Sequence, residues 1–211
     1  HTLFRDEQKQ VPAKSQQFAD SLLAKTKLFD GYALLVDLHD ADVVHALLEK
    51  SDLHVVVYER GEHAAGDMRR QLDDRGLFDD HRLAVVSDET ALPPYFASLV
   101  IVNSGMDLPD SLQQCVRPYG GAIVAGTVGD IEFTRREGAP AESADWTHEF
   151  CDAANTLASP DKLVKAPLGL LWYGGEAADA RFYFDGHVDH QSGHGLNPQP
   201  VPAQVIDGRM V

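Results

Sequence analysis

Ala33-Leu34-Leu35-Val36-Asp37-Leu38-His39-Asp40-Ala41-Asp42-Val43-Val44 decides how this chain is read. Its unbroken apolar start suits a strand buried on both faces. Val43, Val44, Leu47 and Leu48 then recur at helical spacing to about Lys50. A buried strand, a short turn and an amphipathic helix form a β-loop-α unit, the first crossover of a sheet with parallel strands. The turn His39-Asp40-Ala41-Asp42 holds no glycine. It is therefore expected to avoid positive φ, and its Cβ atoms keep the backbone from lying against a ligand.

The same alternation runs outward in both directions. Upstream, Ser15 is placed to cap a short helix with Phe18, Leu22 and Leu23 on its apolar face, and Gly31 ends that segment. Ala33 to Leu38 is the first strand, and His54 to Tyr58, ending at Glu59, is the second. Ala64, Met68 and Leu72 mark a helix that stops near Gly76. Arg82 to Val86 is a third strand, closed by Ser87-Asp88-Glu89, and Ser98 to Val102 a fourth. Pro109 suits the first turn of a short helix with Leu112 and Val116 inward. Arg117-Pro118-Tyr119-Gly120-Gly121 then turns the chain into a fifth strand, Ala122 to Ala125. Five such strands predict an α/β, Rossmann-like fold with a mostly parallel sheet and helices on both faces.

From about Gly129 the pattern changes. Ile131 to Arg135 reads as a strand, Gly138 to Ser143 as a small-residue linker, and Leu168–Tyr173, Arg181–Phe184 and Ala203–Ile206 as short strands. The expected domains are 1–130, Rossmann-like, and 131–211, a β-rich extension, with the boundary near Gly129 to Ser143.

The 211 residues carry 33 Asp plus Glu against 18 Lys plus Arg, a formal charge of −15 that repels a nucleic-acid backbone. No apolar run approaches the length of a membrane span. Cys115 and Cys151 are too few for a disulfide framework, and Cys115, beside Leu112 and Val116, reads as a buried inert thiol. A start at His1 without methionine reads as a processed or excised piece of a longer protein. No Gly-x-Ser-x-Gly elbow or cysteine–histidine nucleophile pair supports hydrolase chemistry. Asp79-Asp80-His81 and Asp73-Asp74-Arg75 read as turn and helix-end residues.

With Asp37 after the first strand, Glu59 after the second, Asp88 after the third, the Leu92–Val100 segment and the Arg117–Gly121 turn in order, residues 30–128 resemble a class I S-adenosylmethionine-dependent methyltransferase domain. The resemblance implies that the loop after the first strand meets the methionine part of the cofactor. It also implies that the second-strand acid binds the ribose hydroxyls and that the third-strand acid faces the adenine. Asp37, His39, Asp40, Glu59, Asp88 and Asn103 are the candidate cofactor-binding residues on that basis; no catalytic residue is assigned. The family's Gly-x-Gly-x-Gly is replaced here by Leu38-His39-Asp40-Ala41-Asp42. Side chains then occupy space the cofactor needs, and the aspartates at that mouth disfavour NAD, FAD and ATP more than the cationic S-adenosylmethionine.

Asp145 to Phe150, Asn155-Thr156-Leu157, Asp161 to Val164 and Leu170 to Gly175 resemble the opening segment of PQQ-like β-propeller proteins. Some bacterial members, notably from planctomycetes, carry a methyltransferase-like domain ahead of the propeller. Residues 144–211 supply no full set of blades, so they cannot act as a quinoprotein alone. Trp146 and Trp172 are expected to fill core beneath the tail strands. His187, His190 and His194, in one loop with Asp185 and Asp189, are candidate metal ligands, with His148 and Cys151 as additions.

The leading expectation is a non-catalytic methyltransferase-like scaffold or interaction module beside a β-propeller, with no cofactor. An active S-adenosylmethionine-dependent methyltransferase and a His-loop metal module are the alternatives. The implied partners are another protein or a downstream propeller domain, or a second copy through the C-terminal strands. The implied setting is exported or periplasmic in a bacterium, where S-adenosylmethionine is scarce.

Overall fold

The apolar runs become strands. β1 (Tyr32–Val36), β2 (His54–Tyr58), β3 (Leu83–Val86), β4 (Ala97–Val102), β5 (Ala122–Thr127) and β6 (Asp130–Arg135) make one sheet in the order β3-β2-β1-β4-β5-β6. The computed structural model describes residues 10–77, 80–127, 130–148 and 150–163, with the strand backbones Val205–Ile206 and Arg209–Met210. Residues 1–138 form one compact unit and 139–211 a second. The break after Gly138 falls within the expected boundary region, Gly129 to Ser143, and keeps β6, which pairs with β5, in the first unit.

β1 to β5 are parallel, with Leu34 level with Val56 on one side and Val100 on the other, and β6 closes the edge antiparallel to β5. The sheet is thus a mostly parallel Rossmann-like α/β sheet, with β1 and β4 buried almost throughout as their continuous apolar character requires. One carbonyl of β6, that of Ile131, accepts from Lys25 Nζ at 3.0 Å.

The helices do not divide evenly between the faces. α1 (Ala13–Thr26), α2 (Ala41–Lys50) and α3 (Glu62–Asp73) place Leu22, Leu47 and Met68 in the same core as Leu35, Val57 and Ile101. Leu34, Val36 and Val100 point the other way and meet Leu108, Leu112 and Val116. Among the described residues, the α-helix there is α4 (Asp110–Gln113), a single turn. The expected cover on both faces is therefore thick on one and thin on the other. Periodicity reports that a helix exists, not which side of the sheet it takes.

Ser15 is not the cap of α1: Pro12 precedes the helix without a side-chain hydrogen bond, and Ser15 is buried in its first turn. Pro12 supplies a fixed φ at the start instead. The helix ends on Lys27 in the left-handed region, φ 59°, rather than at Gly31.

In the second unit, Asp152 accepts from the N–H groups of Ala154 and Thr156, and His148 and Cys151 form a one-residue antiparallel bridge. Val205–Ile206 (β7) pairs antiparallel with Arg209–Met210 (β8), within the last expected strand and just beyond it. The other two expected tail strands and Trp172 lie outside the described residues.

Candidate functional site

Parallel strands deliver the side chains that follow them to one rim, and Asp37, Glu59 and Asn103 meet there. The ladder continues one residue past the strands: the Asp37 N–H donates to the Tyr58 carbonyl at 2.8 Å and the Glu59 N–H to Val86 at 3.1 Å. Both carboxylates are thereby anchored by backbone. Asp37 Oδ1 accepts from the Arg60 N–H at 2.7 Å, and the Arg60 guanidinium stands 3.3 Å from Oδ2. Asn103 Nδ2 donates to the Asp37 carbonyl at 3.0 Å, tying the end of β4 to the end of β1.

Glu59 is fully buried. Its Oε1 accepts from the His39 N–H at 3.0 Å, and His39 Nδ1 lies 2.5 Å from Oε2. That second contact is an ion-pair approach without hydrogen-bond geometry, so Oε2 is buried with no hydrogen-bond donor. Burial holds the Glu59 carboxyl above its ordinary range; the His39 N–H and ring pull it back, and the Asp37 charge adds to the rise.

The loop after β1 corrects one expectation. Asp37 and His39 both lie in the left-handed region, at φ 46° and 51°, without a glycine. Asp and His tolerate this region better than most residues, and here each is held by its bonds to the second-strand end. Asp40 lines the crevice at this rim and also caps a helix. Its Oδ1 caps α2, accepting from the N–H groups of Asp42 and Val43 at 3.0 and 3.1 Å. Asp42 is held by Arg75 at 2.8 Å, so the Asp73–Arg75 helix end ties α3 to the start of α2. Asp88 is exposed and caps its own 3-10 turn, Glu89–Ala91. The hydroxyl and N–H of Thr90 hold its carboxyl below the usual range.

The crevice at the ends of β1 and β4 has a volume of about 140 Å³. Lys14, Ser15 and Phe18 of α1, with Leu38, Asp40 and Asn103, line it. Sites for cofactor-sized ligands run to roughly 300–1,000 Å³. Glu59, the acid that the resemblance assigns to a ribose, is in contact with His39, and a second concavity of about 310 Å³ is lined by His39, His63, Met68 and Gln71. Neither Arg60 nor α1 was marked in the sequence as part of this site. Arg60 stands beside Glu59 in the chain, but nothing there signals that it would reach back to Asp37.

Cys115 is buried, as its apolar neighbours imply, and burial raises its thiol. Asp80 accepts from the Arg82 N–H at 2.9 Å, a turn contact. His187, His190 and His194 lie outside the described residues. Among the described residues, no group of three His, Cys, Asp or Glu side chains is placed to hold a metal ion. His148 Nδ1 contacts the Thr147 hydroxyl at 2.8 Å and Cys151 Sγ donates to the Ala158 carbonyl at 3.3 Å. Among the described residues, no helix is long and apolar enough to cross a membrane.

No protein-family model and no curated protein matches the chain. Among solved structures, it is similar to a Methanococcus maripaludis protein provisionally assigned as an S-adenosyl-L-methionine-dependent methyltransferase. The TM-score is 0.45 and the identity 16%, over 53% of this chain and 54% of that one. It is also similar to a SAM-dependent methyltransferase from Aquifex aeolicus (TM-score 0.44, 15% identity, 54% of this chain and 66% of that one). A third is the glycopeptide N-methyltransferase MtfA complexed with S-adenosyl-L-methionine (TM-score 0.42, 15% identity, 60% and 68%). The chain spans about half the length of the Methanococcus protein.

Proposed function

We propose that residues 1–138 are a methyltransferase-like domain that serves as a non-catalytic scaffold or interaction module, with residues 139–211 leading into a PQQ-like β-propeller. The observation that carries this reading is the contact of His39 with both oxygens of Glu59. The acid that the family resemblance assigns to a ribose is answered by the chain's own loop. Supporting it, α1 narrows the neighbouring crevice to about 140 Å³, and Asp40 and Asp88 are used as caps.

Isothermal titration of the purified chain with S-adenosylmethionine and S-adenosylhomocysteine tests the proposal. No saturable heat is expected from either compound. Micromolar binding of either one overturns it.

A second reading, an active S-adenosylmethionine-dependent methyltransferase, is favoured by one feature: Glu59 Oε2 is a buried acceptor without a hydrogen-bond donor. In that reading His39 leaves the carboxylate to a ligand hydroxyl. The same titration separates the two.

A further inference from the structure

Eight arginines have described side chains. Five of them, Arg60, Arg69, Arg70, Arg75 and Arg82, pair with a carboxylate. Arg117, Arg135 and Arg136 pair with none among the described residues, although acids outnumber bases 33 to 18 along the chain. These three sit around one turn. Arg136 Nη1 donates to the Val116 carbonyl at 3.0 Å and Arg135 Nη1 to the Gly120 carbonyl at 3.0 Å. Arg117, between them, has its Nε buried without an acceptor.

Beside this turn, on the thin face of the sheet, lies a groove of about 410 Å³. Val116 and Ile123 give it an apolar floor, while Gln113, Gln114, Thr134 and Arg136 bring amide, hydroxyl and guanidinium groups. Asp110 is the one acid in its lining. Arg136 is oriented by stacking 5.0 Å from the centroid of the Tyr95 ring, and among the described residues its guanidinium makes one hydrogen bond, which leaves most of its donors open. β5 and β6 pair antiparallel out to Thr127 and Asp130, so among the described residues no crossover helix covers this part of the sheet, and α4 is a single turn.

We propose that this groove docks an acidic segment of a partner protein, with a carboxylate on Arg136 and a neighbouring apolar side chain over Val116 and Ile123. The unpaired guanidinium calls for a carboxylate, the best-matched planar acceptor. The apolar floor calls for more than a bare anion. A polyanion such as nucleic acid is repelled by the net charge of −15, whereas one or two carboxylates feel chiefly the charges within a Debye length of about 8–10 Å. The inference rests on the scaffold reading and names the surface through which the scaffold acts.

The test uses the isotopically labelled full chain and, as probes, a short peptide alternating leucine and glutamate, its leucine–glutamine counterpart, and inorganic phosphate. The glutamate peptide is expected to give saturable amide shifts at Gln113, Gln114, Thr134 and Arg136. Its affinity is expected to fall about tenfold or more in Arg136→Gln, and with the glutamine peptide. Gln114→Glu, at an exposed position, adds repulsion without removing any hydrogen bond described for Arg136 and is expected to weaken binding in the same direction. Shifts mapping elsewhere, equal affinity for both peptides, insensitivity to both substitutions, or the same shifts from phosphate alone overturn the proposal. S-adenosylmethionine binding, read by titration without peptide, strikes at the scaffold reading separately.

Discussion

Two concavities on the same sheet are treated in opposite ways. At the carboxyl ends of β1 and β4 the crevice is narrow: Phe18 lines it, and close by His39 contacts Glu59 and Arg60 holds Asp37. Beside α4 the chain leaves a groove nearly three times larger, about 410 against 140 Å³, next to arginines that pair with no acid among the described residues. A fold therefore does not carry its binding surface at a fixed address. Where helices and loops thicken, polar groups become internal partners, and where they thin, the same groups are left for another molecule.

The contrast breaks most readily at Phe18. Replacing this buried aromatic by alanine is expected to cost about 3–5 kcal/mol, while Ile123→Ala, at a half-exposed position in the groove, costs on the order of 1 kcal/mol. Urea denaturation of the two variants measures both, and comparable losses would mean that the crevice is no better packed than the groove.

A smaller effect is expected at Glu59. Its folded-state pKa lies above the ordinary 4.5, first because of burial. The native state thus holds the proton more tightly than the unfolded chain, and this residue's contribution to stability falls as pH rises from 4.5 through the folded value. Glu59→Gln is expected to remove that fall, leaving a flatter stability profile across the window. Parallel stability profiles for the two proteins between about pH 4 and pH 8 would show that the carboxyl is not desolvated.

The smallest change is expected for His39→Gly. Glycine relieves a left-handed φ at a gain of about 1 kcal/mol, and the lost contact with Glu59 offsets a similar amount. Net stability should move by less than about 0.5 kcal/mol. Titration with S-adenosylmethionine is expected to stay silent in this variant, because Phe18 still narrows the crevice. Binding gained on this one substitution would place the whole obstruction in the His39 side chain.

Strand existence was legible wherever apolar residues ran together: His54–Tyr58 stands as read, and β1, β4 and β5 shift by only one or two residues. Three of the six candidate residues, Asp37, Glu59 and Asn103, follow their strands onto the shared rim, and His39 joins them. Periodicity and strand ends report such placements directly. The contact between His39 and Glu59 was not legible, since it joins two loops 20 residues apart. Nor was the left-handed turn, because without a glycine nothing in the letters marks it. The capping by Asp40 and Asp88 was not read either, although an aspartate two residues before a free backbone N–H is placed to satisfy that donor.

The last strand of the sheet ends on the side of the fold where its neighbours run out, and the ammonium of Lys25 on the Ile131 carbonyl there has a colloidal consequence. A row of free backbone acceptors is a template on which stray chains add and grow into fibres. A positive charge parked on one of them spoils that template, so the molecule can stay dispersed where it is crowded.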